Sequence, residues 1–197
     1  MPGLEDWRAR SGIGAGFAAW FWAVYASANW ITAQRGPLPS IETAWDRAMP
    51  FVPEFAWIYL TITPLLLLPL ALFENRADVT RLALVLAAQT GVAGLCYLAF
   101  PVAPTGHLDA VTPLVFQVAD QVNLTYNSAP SLHVTLAITC AGAMAARGRP
   151  LRNGIMALWA GLMSLSTLLT HQHFVIDVAS GALLGALGLI WFHRKNR

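Results

Sequence analysis

Between Glu54 and Glu74 the chain reads Phe55-Ala56-Trp57-Ile58-Tyr59-Leu60-Thr61-Ile62-Thr63-Pro64-Leu65-Leu66-Leu67-Leu68-Pro69-Leu70-Ala71-Leu72-Phe73, nineteen residues without a formal charge. A surface helix of a soluble protein would set charged residues opposite its apolar stripe. A membrane-spanning strand would be about ten residues of strict alternation. Four consecutive leucines fit neither pattern, so the run reads as a helix crossing a bilayer, for which roughly 20 mostly apolar residues suffice. Five more uncharged windows flank it: Arg10 to Arg35, Arg81 to Asp109, Asp120 to Arg147, Arg152 to Asp177, and Asp177 to Arg194. The last is long enough once Asp177 is counted inside the membrane. These windows predict helices near 12–32, 52–73, 79–100, 130–146, 152–170 and 172–192.

Composition points the same way. Of 197 residues, 56% are hydrophobic and 11% are charged, against about 25% charged in a typical soluble domain. That excludes an ordinary soluble enzyme, a coiled coil and a disordered tail. The expected fold is therefore all-α: one polytopic membrane domain over residues 1–197, with six transmembrane helices and a core at 80–190. Eleven arginines and one lysine never form a basic run of five, so nucleic acid is not an expected partner. Cys96 and Cys140 both sit in apolar stretches and do not suggest a disulfide framework.

The cations orient the bundle. With a cytoplasmic N-terminus, the inside set is Arg8, Arg10, Arg76, Arg81, Arg147, Arg149, Arg152, Arg194, Lys195 and Arg197, and the outside set is Arg35 and Arg47. Ten against two follows the positive-inside rule and puts both termini in the cytoplasm, for a protein of the plasma or inner membrane. Arg8 and Arg10 before an apolar run ending in Ala26-Ser27-Ala28 resemble a secretory signal, but the run is long and Glu5 and Asp6 dilute its basic start. An uncleaved first helix is expected. Segment 36–50 reads as a short amphipathic helix on the outer surface, starting at Pro39-Ser40 before Glu42. Gly181 and Gly185 form a small-residue stripe suited to close helix packing.

Ionisable side chains inside a membrane mark function. His193 lies beside Arg194 and Lys195 and reads as an interfacial residue, and His107 with Asp109 reads as loop. His133 follows Asn127-Ser128-Ala129-Pro130-Ser131-Leu132, whose proline and serine announce a helix start. His171 and His173 stand at the outer start of the last helix, with Asp177 one turn beyond His173 on the same face. A carboxylate there can hold one imidazole nitrogen and leave the other to react. Both helices begin outside, so their positive dipole ends could receive phosphate. His171-x-His173 could bind metal, but no second ligand cluster accompanies it, so no metal is expected.

At these residues the chain resembles the type 2 phosphatidic-acid phosphatase superfamily, closest to the branch containing inositol-phosphorylceramide synthases and many bacterial membrane phosphatases. Pro130-Ser131-Leu132-His133 resembles its Pro-Ser-Gly-His motif, and Ser166-Thr167 with His173 and Asp177 matches the spacing of its Ser-Arg-x5-His-x3-Asp motif. The resemblance implies catalysis by His173 as the nucleophile that becomes phosphohistidine, Asp177 as its orienting base, and His133 as the acid for the leaving group. It also implies no cofactor and no metal. Ser131, Asn127 and His171 are candidate phosphate-binding residues. The departures are equally specific. The Lys-x6-Arg-Pro motif is absent, with Leu98-Ala99-Phe100 before Pro101, and Thr167 stands where the family has arginine. Pro101-Val102-Ala103-Pro104 resembles the proline-rich segment of the named branch.

The expected activity is an integral membrane lipid phosphatase or phosphotransferase, acting on a lipid phosphate at the periplasmic or exterior face. Scarce outer charge favours a phosphodiester over a phosphomonoester, so a head-group transferase is the alternative. A non-catalytic membrane scaffold or transporter is the rival from another class.

Overall fold

A backbone surrounded by hydrocarbon must satisfy its own N–H and C=O groups, and a helix does so within one segment. The computed structural model describes residues 3–105, 112–146 and 148–194, and among them every regular element is helical. In chain order these are α1 (Leu4–Ala33), α2 (Ala44–Ala48), a 3-10 turn (Pro53–Phe55), α3 (Ala56–Tyr59), α4 (Ile62–Leu72), α5 (Arg76–Ala99), α6 (Leu114–Val122), α7 (Leu132–Ala143), α8 (Pro150–Leu169) and α9 (Val175–Arg194). Three stretches are long and apolar enough to cross a membrane: Pro53–Leu72, Arg76–Ala99 and Val175–Arg194. His107, Asp109, Arg147, Lys195 and Arg197 lie outside the described residues.

Four features depart from the sequence expectation. The opening stretch is jointed at Leu60 and Thr61 between α3 and α4, where the Thr61 hydroxyl donates to Ile58 O and accepts from Trp159 Nε1 at 2.7 Å. The fourth apolar helix is short, α7 having twelve residues and ending at Ala143 rather than 146. The surface helix in 36–50 starts at Thr43, not Ser40, because Thr43 and Asp46 cap each other reciprocally. Finally, α6 occupies a stretch with no expected helix, and its Phe116 and Ala119 pack on Ala56 and Tyr59 in a small cluster of their own.

The helices that carry the candidate site, α7 and α9, run parallel and touch every four residues. Ser131 N donates to Asp177 O at 3.0 Å, the Thr135 hydroxyl to Gly181 O at 2.9 Å, and the Thr139 hydroxyl to Gly185 O at 3.3 Å. Gln89 of α5 adds Nε2 bonds to Thr139 Oγ1 and Leu184 O, both 2.9 Å. The glycine stripe is what permits this approach, as a Cβ on Gly181 would lie 2.5 Å from Ser131 O. Backbone cannot yield as a side-chain tip can. Gly181→Ala is therefore expected to cost about 1–3 kcal/mol and to lower Tm in detergent. Gly161→Ala, where a Cβ meets nothing within 4 Å, should hold or raise it. Equal melting of the two variants would remove the close approach.

At the far end of the bundle Arg10 of α1 is 1% exposed. It closes the C-terminus of α4, donating to Leu70 O, Phe73 O and Glu74 O and pairing with Asp6 at 2.6 Å. The first helix is thus packed into the bundle by a buried charge.

Candidate active site

The site forms where α8 turns into α9. The Thr167 carbonyl accepts from the N–H groups of both Gln172 and His173 at 3.1 Å, which ends α8 and reverses the chain. His171 sits in this reversal at φ 49, a left-handed backbone that helix ends usually give to glycine. Its side chain has a use there: Nε2 donates to Met49 O at 3.1 Å, and the ring packs on Phe51 with centroids 5.2 Å apart.

His173 and Asp177 are both buried. Nδ1 of His173 lies 3.4 Å from Asp177 Oδ2, which also accepts Phe174 N at 2.9 Å. One carboxylate oxygen thus caps α9 and faces the imidazole. The other nitrogen, His173 Nε2, is buried without a hydrogen-bond partner among the described residues, as is Asp177 Oδ1. A buried polar atom left unmet usually has a role. The His133 ring stands 6.2 Å from the His173 ring, centroid to centroid. On its other side it stacks on Tyr59 at 4.1 Å, with the phenol oxygen 3.2 Å from Nδ1. The joint that separates α3 from α4 falls one residue beyond Tyr59.

A cavity of about 440 Å³ opens beside this cluster, lined among others by Arg47, Glu42, Asp46, Thr105, His171 and His173. Segment 39–52 closes over it as a strap. Val52 N donates to Leu169 O at 2.7 Å, Ala103 N to Pro39 O at 2.9 Å, and Val175 N to Asp46 Oδ1 at 2.7 Å. Burial acts to raise the carboxyl pKa of Asp46, but hydrogen bonds from the Thr43 side chain and from Val175 N and Thr43 N outweigh it and hold it below the usual value. A depressed folded value means this anchor is complete above the ordinary carboxylate range and is lost only as pH falls through the lowered one. A larger cavity at the opposite end, lined by Arg76, Thr80, Arg81 and Trp191, has no histidine among its described lining residues.

Not every residue singled out in the sequence turns toward the cavity. Asn127 donates its amide to Tyr25 O at 2.7 Å, and the Ser131 hydroxyl accepts Val134 N as the cap of α7. Thr167 is buried and its hydroxyl donates to Ser164 O. The leading amides of α9, expected to be open to phosphate, are taken by carboxylates: Phe174 N by Asp177 and Val175 N by Asp46. Tyr59, Glu42 and Asp46 were not singled out. Nothing local marks Tyr59 or Asp46, and Glu42 reads as part of an ordinary helix start. Among the described residues, no three His, Cys, Asp or Glu side chains are grouped to hold a metal ion.

The profile of the PAP2 superfamily matches residues 40–191, which include the strap, both histidine-bearing helix starts and Asp177. The chain belongs to the PAP2 superfamily. No curated protein matches it significantly. Among solved structures, this PAP2 chain is similar to LpxE from Aquifex aeolicus, with 20% identity and a TM-score of 0.54, over 88% of this chain and 92% of that one. At that identity the likeness concerns the fold.

Proposed function

We propose that this PAP2 protein is an integral membrane lipid phosphatase or phosphotransferase that works through a phosphohistidine on His173. The observation that carries the reading is the buried Nε2 of His173, without a partner among the described residues, backed through Nδ1 by Asp177 and flanked by His133. Nδ1–H donates to the carboxylate, so the Nε2 lone pair is free to attack phosphorus. The P–N bond forms as the ester P–O bond breaks. Beside the bound phosphate anion His133 acts as the imidazolium: its Nδ1–H donates to the Tyr59 oxygen, and its Nε2 proton goes to the leaving oxygen, which leaves the ring neutral. His133 then takes a proton from water or an acceptor hydroxyl, whose oxygen attacks phosphorus and frees His173. Negative charge on Asp177 offsets the positive charge that phosphohistidine acquires. No step calls for a metal or a cofactor.

We place this chemistry at the outer face of a six-span bundle. Of the nine described arginines, seven lie toward the end opposite His173, and only Arg35 and Arg47 lie at the site end, the asymmetry of the positive-inside rule. The cavity also supports the diester reading. Its lining sets Arg47 and His171 against Glu42 and Asp46, a field better matched to one phosphate charge than to two.

Purified protein in detergent, given labelled phosphatidic acid, a prenyl diphosphate and phospholipid diesters with and without chelator, tests both readings. Turnover that survives chelation is expected. Release of phosphate from monoesters with diesters untouched would remove the head-group-transfer reading. Loss of turnover on chelation would bring metal back to His171 and His173.

A further inference from the structure

The phosphate that the proposed reaction needs to hold must find positive charge, and most local sources are already engaged. The first amides of α9 are taken by Asp46 and Asp177. Arg35 donates to Leu98 O at 2.6 Å, at the end of α5. Asn127 is bound to Tyr25 O and Thr167 to Ser164 O. Among the described residues lining the cavity, Arg47 is the single arginine.

Arg47 is held in an unusual way. Its backbone is fixed, because the neighbouring Asp46 is tied to α9 and Met49 O to His171. Its side chain is loose: it is 60% exposed and, among the described residues, has one long contact, 3.4 Å, to Glu42 Oε2, itself 43% exposed. Exposed pairs of this kind are weak, whereas an arginine fork on phosphate oxygens is strong and directional. We propose that Arg47 grips the non-bridging oxygens of the substrate phosphate and that Glu42 is the partner it leaves to do so. The strap is then part of the substrate site: it carries the phosphate-binding cation to the nucleophile from a segment outside both histidine motifs. The ligand class is a lipid-borne phosphate ester, and inorganic phosphate shares its chemistry. This inference rests on the reading of His173 as the nucleophile.

The test uses the full chain in detergent with the phosphate ester that the wild type turns over best, and inorganic phosphate as competing ligand. Arg47→Gln should raise KM and weaken inhibition by inorganic phosphate by about 10–100-fold, the loss of one charge-assisted contact. Arg47→Lys should recover part of that. Glu42→Gln should move both quantities the other way, by a few fold, because it removes the competitor; damage to the strap alone would not tighten binding. His173→Ala should abolish turnover while equilibrium dialysis with labelled phosphate still shows wild-type binding. Unchanged KM and inhibition in Arg47→Gln, or weaker binding in Glu42→Gln, would overturn the role of Arg47 and leave His173 standing. A wild type with no turnover of any phosphate ester, or a fully active His173→Ala, would overturn the nucleophile reading instead. Weaker inhibition by inorganic phosphate with unchanged KM would show that Arg47 meets free phosphate but not the lipid, and would also overturn the proposal.

Discussion

His173→Ala should lose turnover by about four orders of magnitude or more, the scale seen when a covalent nucleophile is removed. The side chain offers no structural bond that would explain such a loss by unfolding. Its Nε2 has no partner among the described residues, and its Nδ1 contact is a long 3.4 Å. The cap of α9 depends on Asp177 and Phe174 N, which alanine at 173 leaves intact. His173→Gln keeps much of the volume and checks that packing is not at fault. Tm of both variants should stay near wild type. A second readout follows the phosphorus itself. Wild type mixed briefly with substrate labelled at phosphorus and quenched in alkali should carry label on protein, and acid should release it, as expected for a P–N bond. Activity in either variant, or label that resists acid, would remove His173 from the reaction.

Much of the bundle is legible in the sequence because long apolar helices are announced by the charge they lack. Long uncharged windows locate α1, α5, α8 and α9 to within a few residues at most ends. The same test is blind to α6, nine residues that include Asp120, and to the joint at Leu60 and Thr61, which has no glycine or charge to mark it. That α9 packs closely on a neighbour is also legible, because glycines at 181 and 185 repeat at the spacing of one helical turn, although the sequence does not say that the neighbour is α7. At the candidate site, the four-residue step from His173 to Asp177 forecasts that the two side chains meet, and they do, although His173 stands just before α9 and not on a face of it. Asn127 and Ser131 show the limit. A polar side chain near a helix start has backbone obligations nearby, and which it serves depends on chain that arrives from elsewhere, here Tyr25 for Asn127. The strap is the same lesson on a larger scale. One oxygen of Asp46 serves the first turn of its own short helix. The other reaches Val175, 129 residues away.

Asp177→Asn should separate charge from shape. Asparagine can still accept Phe174 N through its oxygen and fill the same buried space, so α9 keeps its cap. What vanishes is the negative charge beside His173 Nδ1. Phosphoryl transfer to an imidazole puts positive charge on the ring, and in a buried site that charge has no water to offset it. The amide oxygen that keeps Phe174 N also still faces Nδ1, but a neutral acceptor polarises the imidazole less than a carboxylate and leaves Nε2 a weaker nucleophile. A loss of about 10³–10⁴-fold in kcat is expected, with formation of the labelled intermediate slowed to match. Stability should move little or rise, since a buried carboxylate with one oxygen unpartnered among the described residues is costly to keep. Those two results together distinguish an orienting base from a structural cap. If Asp177→Asn lowered Tm by several degrees while kcat stayed within a few fold of wild type, Asp177 would be a cap alone. His173 would then need another source for its reactivity.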